Sequence, residues 1–225
     1  MPQLRLHSYW RATAPFRVRI ALRLKGLEFV YEPVNLLAGE QESAEYRVLS
    51  RQGLTPCLEN NGDVLVQSLA IMEWLEETYR RPPLLPQDPV DRARVRAMAA
   101  IVACDVHPLN NLRVLKALAE LGHPMGGPEQ LAWGEKWIVD GFRALEPMVA
   151  AYGAGFAFGA EPTLADCCLV PQVWASSRFQ VDLSPFPAIR AVYARSAEHP
   201  AFIGAHPDQQ PDAPGRSATV GHASA

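Results

Sequence analysis

Residues 54–79 read LTPCLENNGDVLVQSLAIMEWLEETY, and this stretch restricts the fold more than any other. Two short apolar runs, residues 56–59 and 64–66, flank Asn60-Asn61-Gly62-Asp63. An Asn-Gly pair between β-type runs is a strong hairpin signal, because both central positions of the tight turn need positive φ. Ser68 follows at once and can cap a helix whose Leu69, Ile71, Met72 and Leu75 fall on one stripe. A strand therefore runs straight into a helix N-terminus.

The hairpin begins with Thr55-Pro56. Proline gives no N–H to a ladder and belongs at the first residue of a strand or on an edge. With a cis bond here, the N–H and C=O of Thr55 turn outward and can pair with an extended peptide. The amides at the start of the Ser68 helix attract that peptide's carboxylate. Together these features suit a small acidic peptide.

Upstream, residues 3–9 read as a strand, and the turn of residues 10–14 feeds a helix opened by Pro15, with Phe16, Ile20 and Leu24 on its buried face. Lys25-Gly26 stops that helix. Residues 29–34 form a second strand, Gly39-Glu40-Gln41 a loop, and residues 42–49 a short helix. Strand, helix, strand, helix, hairpin, helix is the thioredoxin-like arrangement, a four-stranded mixed sheet with helices on its faces, and it spans residues 1–83. Pro82, Pro83, Pro86 and Pro89 close the unit as a stiff connector.

Beyond the prolines the periodicity is helical throughout, so residues 90–206 read as an all-helical domain. Residues 92–121 form one long pattern with a bend expected at His107-Pro108. Residues 129–152 are a further helix, Thr163 with Asp166 opens another as a capping-box variant, and residues 185–197 are the last. From Pro207 the composition turns to Pro, Gly, Ser and Asp, which predicts a flexible tail over 207–225.

A net charge of −3 offers no bulk attraction to nucleic acid or to an anionic membrane. No apolar run reaches the ~18 residues of a membrane span, and the first residues lack a signal-peptide core. Cys57, Cys104, Cys167 and Cys168 make no C-x-x-C pair and read as small core residues of a cytoplasmic protein. His107, His123 and the cysteines form no metal pattern.

Several stretches, in order, resemble the zeta-class glutathione transferases, which include the maleylacetoacetate and maleylpyruvate isomerases. They are SYWR (8–11), RVRIALRLKG (17–26), QSLAIMEWLEE (67–77), LLPQDP (84–89), DVHPLNNLRVL (105–115), TLADCCLVPQV (163–173), RFQVDLSPFP (178–187) and QPD (210–212). The resemblance implies a homodimer of glutathione transferase architecture, with glutathione bound by the first domain and an electrophile pocket between the domains. It assigns the γ-glutamyl end to Gln67 and Ser68, the cysteinyl backbone to Thr55 beside Pro56, and the glycyl end to Gln41. The family usually carries valine before this proline; Thr55 keeps the main chain that does the pairing.

The resemblance also implies a reaction. The family's isomerases add the glutathione thiolate to a conjugated cis double bond, let the resulting single bond rotate, and expel the thiolate to leave the trans acid. A free thiol, with a pKa of about 8.5, is only slightly ionised at neutral pH, so the site must stabilise the anion. Relatives typically place Ser-Ser-Cys or a similar polar set after the arginine, whereas this chain has Ala12-Thr13-Ala14. Three substitutes are open: the Thr13 hydroxyl, the amides at the start of the Pro15 helix, or Tyr9. Arg11, Arg113 and Arg178 match arginines that hold the carboxylates of diacid substrates, and the guanidinium fork suits that task. His107, Asn110 and Asn111 lie beside Arg113 and can add polar contacts near the sulfur or substrate. The expected activity is glutathione-dependent cis–trans isomerisation of a maleyl diacid, maleylpyruvate or maleylacetoacetate, in aromatic catabolism. The alternatives are a general transferase acting on small electrophiles and a glutathione-binding protein without turnover.

Overall fold

Asn61 and Gly62 both take positive φ, 50° and 95°, as a tight hairpin turn demands, and they join β3 (Cys57–Asn60) to β4 (Asp63–Val66). The computed structural model describes residues 4–215. The chain divides into two units, Met1–Leu75 with Pro200–Ala225, and Glu76–His199.

The first unit opens with β1 (Leu4–Ser8), in which Leu4, Leu6 and Ser8 are buried and Arg5 and His7 only partly so, the period of two of a strand. α1 (Thr13–Leu24), β2 (Phe29–Pro33), a 3-10 turn over Glu40–Glu42 and α2 (Ala44–Leu49) lead to the hairpin, and α3 (Ser68–Thr78) follows it. The sheet order is β2-β1-β3-β4, with β1 parallel to β2 and antiparallel to β3. This is the mixed four-stranded sheet that the sequence predicts. Leu6, Phe16, Ile20, Leu58, Ile71, Met72 and Leu75 are all buried.

α1 begins two residues earlier than the sequence suggests. Ala12 is its cap residue and Pro15 the third helical position, where the missing proline N–H is still one that has no intrahelical acceptor. A similar shift occurs at α3: the Ile71 N–H bonds to the Gln67 carbonyl at 2.9 Å, so Gln67 rather than Ser68 takes the cap position.

The predicted tail over 207–225 is not loose where it is described. α9 (Pro200–Ala205) and a 3-10 turn over Pro207–Gln209 belong to the first unit, whereas the sequence groups 200–206 with the helical domain. Pro207, Gln210 and Ala213 are buried. Gln210 Nε2 donates to the carbonyls of Gly204, at 3.1 Å, and His206, at 2.7 Å. Specific polar bonds hold a segment whose composition reads as solvated. The rest of the expected tail, 216–225, lies outside the described residues.

The second unit is helical. α4 (Pro89–Ala100) is capped by Asp88 and passes directly into a π-helical segment, Ile101–Val106, and a 3-10 turn, His107–Asn110. Asn111 then breaks the chain and caps α5 (Leu112–Glu120). The single bent helix expected over 92–121 is therefore two helices. Pro108 cannot donate to an α ladder, and the π segment is pressed against a glycine of the next helix. That helix is α6 (Pro128–Tyr152), followed by α7 (Leu164–Ser176) and α8 (Pro187–Ser196). At α7 the capping box between Thr163 and Asp166 forms in full. Cys57, Cys167 and Cys168 are buried, but Cys104 is exposed on the π segment, against the core placement read from sequence.

Candidate active site

The strand register decides which end of the sheet the first unit's predicted site residues follow from. His7 of β1 pairs with Cys57 of β3, and Cys57 pairs in turn with Val66 of β4. On the other side Ser8 pairs with Pro33 of β2. The last residue of β1, the last of β2, the first of β3 and the last of β4 thus share one end of the sheet. The segments that continue from them carry Tyr9, Arg11 and Thr13, then Gln41, then Thr55 and Pro56, then Gln67 and Ser68.

At the β1 exit Tyr9 is buried and its ring packs edge-on against Trp10, 6.1 Å between centroids. The Arg11 guanidinium lies 5.8 Å from the centre of the Trp10 ring. Thr13 is the first residue of α1 and is buried. Capping is not its role, because Ala12 holds that position and alanine offers no acceptor to the first amides of α1. The helix therefore presents its positive end with no side-chain cap at Ala12.

The Thr55-Pro56 bond is cis. Beside it Cys57 is buried, with its sulfur 3.3 Å from the Tyr46 hydroxyl. Burial pushes the Cys57 thiol up, which keeps it protonated and unsuited to act as a nucleophile. Gln67 adopts left-handed backbone, φ 69°, and its exposed side chain donates to Gln52 Oε1 at 2.7 Å. Ser68 is buried, and its hydroxyl accepts from Arg17 Nη1 at 3.2 Å. Sequence reasoning missed this role for Arg17, a cation on an otherwise apolar helix face; that incongruity is the signal that could have found it.

Gln41 is buried in the 3-10 turn, donating from Nε2 to Glu42 Oε1 at 3.3 Å. Its Oε1 is buried without a hydrogen-bond partner among the described residues. Such an atom invites a donor from outside the protein, and a peptide N–H is the right group. With the uncapped start of α1, the Ser68 hydroxyl and the amides of α3, these residues suit a peptide that carries a carboxylate. They fit glutathione.

The second unit carries the remaining predicted residues. His107 Nε2 lies 3.4 Å from Asn111 Nδ2, and Asn111 Oδ1 accepts the Arg113 N–H at 3.1 Å. Asn111 is thus engaged as the α5 cap, a structural use that sequence reasoning did not assign. Arg113 is exposed on the first turn of α5. Arg178 is exposed in a 3-10 turn after α7, with its guanidinium 4.6 Å from the centre of the Trp174 ring. The Trp133 indole donates to the Leu109 carbonyl at 2.7 Å and pins the turn that carries His107 and Asn110. Among the described residues no group of three or more His, Cys, Asp or Glu could hold a metal ion, and no helix is long and apolar enough to cross a membrane.

The family described as glutathione S-transferase, N-terminal domain, matches residues 14–78. A maleylacetoacetate isomerase of Pseudomonas aeruginosa is 46% identical over 214 residues, covering 94% of this chain and 99% of the relative. A maleylpyruvate isomerase of Ralstonia is 47% identical over 213 residues, covering 93% and 99%. The crystal structure of the Anaeromyxobacter dehalogenans maleylacetoacetate isomerase with glutathione in its active site superposes with a TM-score of 0.86 at 44% identity, covering 95% and 99% of the two chains. At this identity and coverage, the chain belongs to the zeta-class glutathione transferases, the family of the maleylacetoacetate and maleylpyruvate isomerases.

Proposed function

We infer that this protein is a glutathione-dependent cis–trans isomerase of a maleyl diacid, maleylpyruvate or maleylacetoacetate. The convergence of four strand ends on one end of the sheet supports the reading, because the segments adjoining those ends carry Thr13, Gln41, Thr55 and Ser68 from distant parts of the sequence. The relatives' names supply the substrate class. The zeta-class resemblance supports a homodimer that works in aromatic catabolism, and cysteines left unpaired suit the reducing cytoplasm.

When bound, glutathione supplies the thiol whose anion makes isomerisation of a conjugated cis double bond possible. Ser68 and the first amides of α3 receive its γ-glutamyl carboxylate, Thr55 pairs with its cysteinyl main chain, and Gln41 takes the glycyl end. His107 and Asn111 add polar contacts near the sulfur or substrate. Holding a thiol as its anion two units below the ordinary value requires about 2.7 kcal/mol. An exposed helix N-terminus contributes roughly 0.3–1 kcal/mol, and a hydrogen bond to a charged group about 1.5–3 kcal/mol. The α1 end alone therefore falls short, and a hydroxyl donor is needed with it. Thr13, buried at the first position of α1, is that donor ahead of Tyr9. Arg11, Arg113 and Arg178 bind the carboxylates of the substrate.

The deciding assay is ultraviolet detection of maleylpyruvate, coupled to fumarylpyruvate hydrolase, with and without glutathione. Turnover that depends on glutathione is the expected result. Glutathione binding by calorimetry with no turnover would point instead to another electrophile or to a binding role, with Ala12 and Ala14 as its cause.

A further inference from the structure

The turn between β1 and α1 carries Tyr9, Arg11 and Thr13, yet the side chains that hold it come from elsewhere in the first unit. Arg19 of α1, fully buried, donates from Nη2 to the Trp10 carbonyl at 3.0 Å and from Nη1 to the Tyr9 carbonyl at 3.4 Å. The same guanidinium reaches Ser8 Oγ at 3.0 Å and, from Nε, the carbonyl of Ala205 at the end of α9 at 3.0 Å. From the far end of the chain, Asp212 Oδ2 accepts the Trp10 N–H at 3.0 Å. Its other oxygen accepts the Tyr31 hydroxyl at 2.7 Å. Within the turn, the Ala12 N–H bonds to the Tyr9 carbonyl at 3.0 Å. Main-chain groups of Tyr9, Trp10 and Ala12 are thus tied down, the first two by residues outside the turn.

We propose that Asp212 and Arg19 are positioning residues, a clasp from the C-terminal segment and α1 that sets the β1–α1 turn, and with it Thr13 and the start of α1, for stabilising the bound thiolate. The inference rests on the glutathione-dependent reading above. The economy of the turn supports it. Ala12 and Ala14 have no polar side-chain atoms with which to fix their own backbone, so the fixing falls to bonds that residues outside the turn make to its main chain. Stability alone does not account for the arrangement. Burial drives the Arg19 pKa down to about 10, the sign of a guanidinium taken out of water, with the nearby Tyr31 and Asp212 pulling the other way. Replacing buried charges by well-packed apolar groups is often neutral or stabilising, so what this charged cluster gains is a defined geometry. Displacements of an ångström at a reacting group can cost on the order of a hundredfold in rate.

The test is made on the full-length protein with Asp212→Ala, Asp212→Asn and Tyr31→Phe. Ultraviolet absorbance of the thiolate, followed against pH with glutathione bound, reports the thiol pKa without any substrate. The clasp requires Asp212→Ala to raise that pKa by about one unit, equivalent to ~1.4 kcal/mol. It should also lower kcat roughly tenfold, while glutathione affinity by calorimetry, measured below the bound thiol's pKa, stays near wild type. Asp212→Asn, which keeps a carbonyl acceptor for the Trp10 N–H, should fall between the two. Hydrogen exchange in the ligand-free protein should quicken at Trp10 and Ala12 of the alanine variant but not at Leu6. A folded Asp212→Ala protein whose bound thiol titrates as in wild type overturns the proposal. Should that variant not fold, Tyr31→Phe, which removes the hydroxyl orienting the carboxylate, carries the same comparison with a smaller expected shift. Absence of maleylpyruvate turnover by wild type counts against the isomerase reading alone, because the thiol titration is independent of substrate; absence of glutathione binding overturns both.

Discussion

Gln67 holds a backbone conformation, φ 69°, that costs a residue with a side chain on the order of 1 kcal/mol or more. What the conformation secures is the sharp passage from β4 into α3, with Gln67 accepting the first helical bond and Ser68 turned toward Arg17. Arg178 solves a different problem. Its guanidinium carbon lies 4.6 Å from the centre of the Trp174 ring, and on the proposed reading its N–H fork receives a substrate carboxylate. A charge-assisted bond of this kind contributes about 1.5–3 kcal/mol, and each 1.4 kcal/mol is a factor of about ten. Arg113→Ala and Arg178→Ala are therefore expected each to raise KM for maleylpyruvate by roughly tenfold or more, with kcat reduced less. KM for a neutral electrophile should not move. Steady-state kinetics on both substrates checks this, and wild-type KM for the diacid in both variants would remove the arginines from the site.

Elements show where local signals suffice and where they fail. The hairpin is legible because its turn is specified by adjacent residues, and the α7 cap because Thr163 and Asp166 lie three apart. The break between α4 and α5 is only half legible, since Pro108 marks it locally but the close approach that accompanies it lies on another helix. A Cβ on Gly141 of α6 would come within 2.2 Å of Val106 Cγ2, so only glycine lets the π segment lie so close. Overpacking at such a point costs about 1–3 kcal/mol. Gly141→Ala should lower the thermal midpoint by roughly 2–4 °C for each kcal/mol lost. Adding Val106→Ala should recover part of the loss, since the two sites share one contact. If Gly141→Ala melts with wild type, or the second substitution brings no recovery, the close approach does not control this break. The C-terminal segment was misread for a related reason. Its composition is that of a tail, but Asp212 bonds to residues 202 and 181 positions away, pairings that no local window contains. The same distance hid the clasp, although Gln210 to Asp212 stood out as a motif.

At the scale of the whole molecule, stability responds to pH through every group whose proton affinity changes on folding, and Asp166 is the clearest case. Its carboxylate is fully buried and accepts from the amides of Ala157, at 2.6 Å, and Thr163, at 2.8 Å, and from the Thr163 hydroxyl at 2.9 Å. Burial nevertheless outweighs those bonds and raises its pKa to about 6. The unfolded value is about 3.9, so between these limits the folded chain holds the proton more tightly than the unfolded one. The contribution of Asp166 to stability is then complete below about pH 4, declines as pH rises towards 6, and is constant above that. Two units correspond to at most ~3 kcal/mol. Asn at this position cannot titrate, so subtracting the Asp166→Asn protein from wild type isolates the effect from all other groups. Measured by urea unfolding from pH 4 to 8, wild type should lose ground to the variant through the window between pH 4 and 6 and run parallel to it at higher pH. A difference that stays flat, or that moves in favour of wild type, would mean that the three hydrogen bonds dominate and that the α7 cap works as a carboxylate throughout.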